Sequence, residues 1–124
     1  MTAALYEPLA NIMLDTLGAT GAEYDWLQLH TGDPGAAGTS NIAAESTRFQ
    51  VVWDTAADGS IQPTTEVDIT TVAATETWLF FTAWTQSTGG TVGLVGVVSV
   101  GSVTAGADVT LPPESITVTF PLKT

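Results

Sequence analysis

Leu5, Leu9, Ile12, Met13 and Leu17 recur at intervals of three and four residues, which places them on one stripe of an α-helix. Asn11 and Asp15 fall on the opposite side. Pro8 suits the first helical turn, where its missing N–H costs nothing, and Gly18 suits a C-terminal stop. The pattern therefore predicts a helix over 7–17 inside an N-terminal docking element, residues 1–18. A helix this short is marginal alone and has to pack on something.

From Ala22 onward the period changes to two. Thr occurs 22 times in the chain and concentrates here with Val and Trp, and β-branched and aromatic residues suit a pleated, half-buried surface. Strands are predicted at Tyr24–His30, Thr47–Trp53, Glu66–Val72, Thr77–Trp84, Val92–Val100, Asp108–Leu111 and Ser115–Phe120. Phe49, Val51 and Trp53 alternate with Arg48, Gln50 and Val52, and Ile116, Val118 and Phe120 alternate with Thr117 and Thr119, so these strands have one wet face. Two segments are apolar on both faces. One is Trp78–Trp84, and the other is the next strand, with Leu94, Val95, Val97, Val98 and Val100. Such strands belong in the middle of a sheet or against a partner. Gly89-Gly90 between them predicts a hairpin.

Turns at Gly32-Asp33-Pro34-Gly35, Asp58-Gly59, Ala105-Gly106 and Pro112-Pro113 cut the remainder into short strands. The expected fold is mainly β: a single β-sandwich or small barrel with one N-terminal α-helix, one domain over 1–124. The longest loop runs over about 30–46 and is rich in Gly, Ala, Ser and Thr, which suits either a surface contact arm or a mobile segment.

Charge narrows the functions open to this fold. Thirteen acidic side chains face two basic ones in 124 residues, a net charge of −11. Only Arg48 and Lys123 could neutralise phosphates, so binding to nucleic acid or to an anionic membrane is not expected. The N-terminus lacks the basic and apolar regions of a secretory signal, and no apolar run approaches the roughly 20 residues of a membrane helix. The chain reads as soluble, untargeted and entire. Zero cysteines excludes disulfide frameworks, thiol catalysis, zinc–thiolate sites and iron–sulfur clusters.

Catalytic chemistry finds little support. His30 is the only histidine, and no Ser lies in a Gly-x-Ser-x-Gly turn, so His30 reads as a strand end that hydrogen-bonds the adjacent loop. Asp54 with Asp58, Glu66 with Asp68, and Glu23 with Asp25 could pair as acid and base, but two cations cannot partner them all, and a solvated face is the expected role. Asp54-Thr-Ala-Ala-Asp58-Gly59 lacks the ligand spacing of a calcium loop, so no cofactor or metal is expected. Trp26, Trp53, Trp78 and Trp84 each fall at inward strand positions and read as core, with a carbohydrate platform as the alternative. Asp33-Pro34-Gly35 is a turn signature. Arg48, one guanidinium among thirteen carboxylates, is expected to form a bidentate pair with one of them and to clasp the long loop.

The order of these elements resembles a known family. A helix leads into Trp26-Leu27-Gln28-Leu29-His30-Thr31-Gly32-Asp33-Pro34-Gly35, followed by an Arg-led strand at Arg48–Trp53, a Trp-containing aromatic strand and a Thr88-Gly89-Gly90 turn. Val103-Thr104-Ala105-Gly106 and Ile116-Thr117-Val118-Thr119-Phe120 close the chain. The whole is similar to small proteins of tailed bacteriophages and prophages described as tail-fibre-like or minor tail proteins. Ala107 before Asp108 and the Pro112-Pro113 turn depart from the family pattern.

The resemblance implies a structural protein on the exterior of a tailed-phage virion, assembled in the host cytoplasm, with no catalytic residues to carry over. A minor tail, tail-tip or fibre-associated place is expected, and the alternatives are a capsid decoration protein and a carbohydrate-binding module for host recognition. The expected partners are other virion structural proteins, of the tail or the major capsid protein. Leu5, Leu9, Ile12, Met13 and Leu17 form the expected assembly interface, and His30, Asp33, Pro34, Gly35 and Arg48 the expected structural loop. The two-faced strands carry more apolar surface than one small sandwich covers, which predicts a homo-oligomer, a trimer by analogy with fibres.

Overall fold

The computed structural model describes residues 3–18 and 23–123. Its elements run α1 (Glu7–Asp15), β1 (Trp26–His30), β2 (Phe49–Gln50), β3 (Ser60–Ile61), β4 (Val67–Ile69), β5 (Glu76–Trp84), β6 (Val92–Val103), β7 (Val109–Leu111) and β8 (Val118–Thr119). Short 3-10 turns occupy Thr16–Gly18 and Pro113–Ile116. The fold is mainly β with one N-terminal helix and several antiparallel sheets, and of the two architectures expected it is not the closed barrel.

Four antiparallel strands form the main sheet in the order β2-β1-β5-β6. Opposed residues of antiparallel strands project to the same side. Leu27 opposes Ala83 and Leu29 opposes Phe81, so these four share the inner face and all are fully buried. Trp26, Gln28 and His30 oppose Trp84, Thr82 and Phe80 on the outer face. That alternation is what the period-two pattern encodes. Two ribbons, β3–β8 and β4–β7, close over the inner face, with Ile61, Leu111, Ile116 and Val118 joining Leu27, Leu29, Trp78 and Phe81 in one core.

The β5–β6 hairpin forms where the double glycine predicts it, and Thr85 N–H donates to the Thr91 carbonyl at 3.1 Å across its neck. β5 lies inside the sheet, which accounts for its two apolar faces. β6 is the edge, so it is not the interior strand its composition suggests, and Val95 and Val97 stay 56% and 60% exposed. Glycine on β6 has a packing reason. A Cβ at Gly96 would collide with the Phe81 ring, and one at Gly93 with the Tyr24 ring, so bare backbone lets both rings lie on the strand.

The helix forms as expected but faces unexpectedly. Pro8 sits in its first turn and Glu7 there favours the positive end of the helix dipole. Ala10 and Leu14 are buried, as is Leu17 in the following 3-10 turn, whereas Leu9, Ile12 and Met13 face solvent. Asn11 and Asp15 turn toward the protein: Asn11 Oδ1 accepts from Gly59 N–H at 2.9 Å, and Asp15 Oδ1 from Ala56 N–H at 2.7 Å. The polar pair holds the 56–59 turn, whose backbone donors lack strand partners, and that need outweighs burial of the longer apolar stripe. Only Leu17 of the five stripe residues is itself core, and Leu5 is half-buried beside Leu122.

The long 31–46 segment has a definite course. Ser40 N–H donates to Pro34 O, Thr31 N–H to Asn41 O and Ala43 N–H to Leu29 O, at 2.9, 2.9 and 3.0 Å. Its far end is tied to β5 through Glu76, whose carboxylate accepts from Trp78 Nε1 at 2.9 Å and from Ala44 and Glu45 N–H at 3.0 and 3.2 Å. Burial alone would raise the Glu76 pKa, but these three donors prefer the ionised form and hold it below its ordinary 4.5. A depressed carboxylate pKa adds stability that is fully present above pH 4.5 and is lost as pH falls through the folded-state value. Glu76→Gln should therefore cost about 1–2 kcal/mol at neutral pH by chemical denaturation. The gap to the unmodified protein should narrow as the solution is acidified below 4.5; a gap that is constant with pH would show that the charge of Glu76 is not what matters.

Candidate functional site

The outer face of the main sheet gathers most of the polar and aromatic groups that the sequence singles out. His30 is fully buried there. Its Nδ1 lies 2.9 Å from the Ser40 carbonyl, which can only accept, so Nδ1 carries the proton. Its Nε2, 2.8 Å from Thr82 Oγ1, is then the acceptor of the Thr82 hydroxyl. Thr82 Oγ1 in turn accepts from Trp84 Nε1 at 2.7 Å. The result is a directed chain, Trp84 N–H to Thr82 O–H to His30, ending on the loop backbone.

A hydroxyl donating to an imidazole is also the order of a nucleophile and its base. Here the hydroxyl oxygen is occupied by Trp84 and buried, and the orienting acceptor is a backbone carbonyl, so the chain is built to hold the loop on the sheet. Burial lowers the His30 pKa from its ordinary 6.5, against a smaller upward pull from the Ser40 carbonyl. Protonating Nε2 would leave two donors facing each other unless the Thr82 hydroxyl turned away from its only acceptor. Stability from neutral His30 is therefore present above pH 6.5 and is lost as pH falls through the lowered folded value.

Around the turn that follows, Asp33 Oδ1 accepts from Gly35 N–H at 2.8 Å, and Asn41 Nδ2 donates to the Asp33 carbonyl at 2.9 Å. Pro34 is buried, and Gly35 adopts φ +76°, a conformation that L side chains rarely take. Gly38, at φ +72°, lets the loop backbone pass over Val92 and Trp84.

Arg48 is where expectation and structure part. Among the described residues it meets no carboxylate. Its Nε donates to Gln28 Oε1 at 3.2 Å and its Nη1 to the carbonyls of Gln86 and Gly89 at 2.8 and 2.7 Å. The guanidinium carbon lies 4.0 Å from the centroid of a Trp84 ring. Two carbonyls already aimed at one spot by the 85–91 turn give a fork donor a ready partner without desolvating a carboxylate. Gln28, the relay to the loop, also donates to Ser46 O at 2.6 Å. Arg48 is thus a clasp on the β5–β6 turn rather than directly on the long loop. Gln28, Thr82 and Gln86 share in this arrangement, and the sequence does not reveal them because uncharged polar residues within strands and turns give no motif.

Trp26, Gln28, Ser46, Thr47, Arg48, Ser87, Thr88 and Gly89 line a groove of about 480 Å³ beside this clasp. Of the four tryptophans, Trp53, Trp78 and Trp84 are core residues, as expected, and each donates its indole N–H inside the protein. Trp26 is only half-buried and departs from that expectation. A second, more apolar groove of about 540 Å³ runs between Met13, Leu17, Tyr24, Leu94, Val118 and Phe120.

The carboxylate pairs line neither of these two grooves, although Glu23 and Asp25 border a small pocket of about 110 Å³ beside Trp53. Asp68 accepts from Thr110 and Asp25 from Gln50 at exposed positions, and Asp54 caps its own turn. Among the described residues, no group of three or more His, Asp or Glu is placed to hold a metal ion.

Arg48→Lys removes the fork and the stacked plane together and should destabilise the fold by about 1–3 kcal/mol, read as a lowered melting temperature; an unchanged melting temperature would show the clasp to be idle. His30→Asn should flatten the fall in melting temperature as the pH drops below 6.5, and an unaltered slope would place that titration elsewhere.

No curated protein and no solved structure matches the chain significantly. A protein-family model described as Podophage GP4 fiber I protein gp80 does match, over residues 1–119. A match across nearly all of its length shows that the chain belongs to this family of phage fibre proteins.

Proposed function

We propose that the chain is a non-enzymatic structural component of the virion exterior, associated with the tail fibre or tail tip, and that α1 is its docking element. Family membership supports the particle, and one observation supports the docking surface. A nine-residue helix leaves Leu9, Ile12 and Met13 outside at 51%, 64% and 43% exposure while its polar residues hold the fold from within. Contiguous apolar side chains left outside a small domain mark a contact surface. The remaining stripe residues frame it, Leu5 at one end and Leu17 behind it in the core.

The same reasoning supports a homo-oligomer, a trimer in the first instance. β6 is a twelve-residue edge strand without a charged side chain, in a chain whose other surfaces carry most of thirteen carboxylates. Edge strands are ordinarily guarded by Lys, Pro or inward charges, and this one is not. A neighbouring copy that meets β6 with a different part of its surface finds no carboxylate there, and repetition of such a head-to-tail contact can close a ring.

Ile12→Glu tests the docking surface. The side chain is exposed and Glu is a good helix former, so the isolated protein should keep its stability to within about 0.5 kcal/mol. Its incorporation into particles, measured by quantitative mass spectrometry of purified virions, should fall to background; incorporation at the unmodified level would overturn the role of α1. In the same virions, a few copies that partition with separated tails agree with the fibre or tip reading, and many copies on heads would replace it with capsid decoration.

A further inference from the structure

We infer that the groove between β1 and the β5–β6 turn is a binding site for a neutral saccharide, with Trp26 as its stacking surface. The inference does not rest on the virion role, since every residue of the groove belongs to one copy of the chain. It begins with an unused donor. Trp53, Trp78 and Trp84 each give their indole N–H to an internal acceptor, at 2.9, 2.9 and 2.7 Å. Among the described residues the Trp26 indole N–H has no such partner, and Trp26 is the one tryptophan outside the core. A half-buried indole that lines a groove and has a free donor is a combination that a pyranose ring can use, with C–H groups on the ring and a hydroxyl at its edge.

The rest of the lining fits the same ligand. Arg48 donates through Nε and Nη1 to the protein, and its Nη2 is unused. The exposed hydroxyls of Ser46, Thr47, Ser87 and Thr88 have no protein partner among the described residues, and each can donate or accept. The groove of about 480 Å³ has room for one or two sugar rings. It is also already shaped. Gln28 is held between Arg48 and Ser46 O, and Arg48 is held by two turn carbonyls and the Trp84 ring, so ligand binding orders little that is not ordered beforehand.

Charge selects neutral over acidic sugars. None of the thirteen carboxylates lines the groove, so hydroxyls are not opposed locally. A net charge of −11 repels an anion on approach, and the one cation in the groove has most of its donors committed to the protein.

The test uses the full chain labelled with nitrogen-15 and titrates the methyl pyranosides of glucose, galactose, mannose, rhamnose and N-acetylglucosamine, with N-acetylneuraminic acid as the acidic probe. The four indole N–H signals are read separately. At least one neutral pyranoside should move the Trp26 indole signal saturably and leave those of Trp53, Trp78 and Trp84 in place. Trp26→Ala should weaken that sugar's affinity about tenfold or more, as seen from the backbone signals of Ser87 and Thr88. Trp26→Phe keeps a ring and the sheet packing, and should lose less. The site is overturned if no neutral pyranoside shifts the Trp26 signal, or if binding survives Trp26→Ala unchanged in a protein whose spectrum shows it folded. N-acetylneuraminic acid binding in preference to every neutral sugar would overturn the ligand class.

Discussion

A guanidinium carries five donors and no acceptor, so a buried or stacked arginine organises whatever carbonyls surround it. Arg48 follows the long 31–46 segment and reaches back to Gln28 of β1, outward to the Trp84 ring of β5 and across to both ends of the turn between β5 and β6. Neighbouring strands of the sheet are thereby fixed at one corner by a single side chain. This clasp meets carbonyl dipoles rather than a carboxylate, and among the described residues Nη2 of Arg48 makes no hydrogen bond. The corner would be floppy without it, because the 86–90 turn is exposed throughout and β2 has only two residues of pairing.

Along the rest of the outer face the same problem is met with neutral groups. Gln28, His30 and Thr82 are buried polar residues, and no buried side-chain nitrogen or oxygen among the described residues lacks a hydrogen bond. A polar network so completely paired fixes one arrangement of the loop over the sheet, where an apolar face would have tolerated several. The loop itself contributes only backbone acceptors to that network, at Ser40 and Ser46, which explains how a segment of Gly, Ala, Ser and Thr can be held without a side-chain pattern of its own.

What can be read from the residues alone follows directly from periodicity. The helix, the β5–β6 hairpin and the alternation in β1 emerge because each is long enough for its period to show. β3 is invisible because two residues, Ser60 and Ile61, have no period, and its pairing with β8 depends on the Asp58-Gly59 turn and on Asn11 of a distant helix. The edge position of β6 is equally hidden: composition reports how apolar a strand is, and an apolar edge strand can have the same composition as an interior one. For the site, charge counting misleads. Arg48 in an acidic chain suggests an ion pair, but a carboxylate must lose its water to form one, while two carbonyls converging at a turn are acceptors already held in place by the backbone. Trp26 looks like the three core tryptophans because strand alternation says which side a residue takes and nothing about what covers that side.

The helix shows how such local solutions shape the surface of the protein. Gly59 N–H and Ala56 N–H need acceptors, and the nearest strand edges do not supply them, so Asn11 and Asp15 are drawn inward. Once they point in beside the buried Ala10 and Leu14, helical geometry turns Leu9 and Ile12 away from the protein, since residues about 100° apart per step cannot all share one side. An exposed apolar stripe is then a geometric consequence of satisfying two backbone donors, and it is tolerated because a net charge of −11 keeps free copies from meeting at random. In the docking role proposed for α1 that constraint would change sign: a partner covering the stripe would remove its solvent cost without disturbing the polar contacts beneath, and the fold would stay as it is.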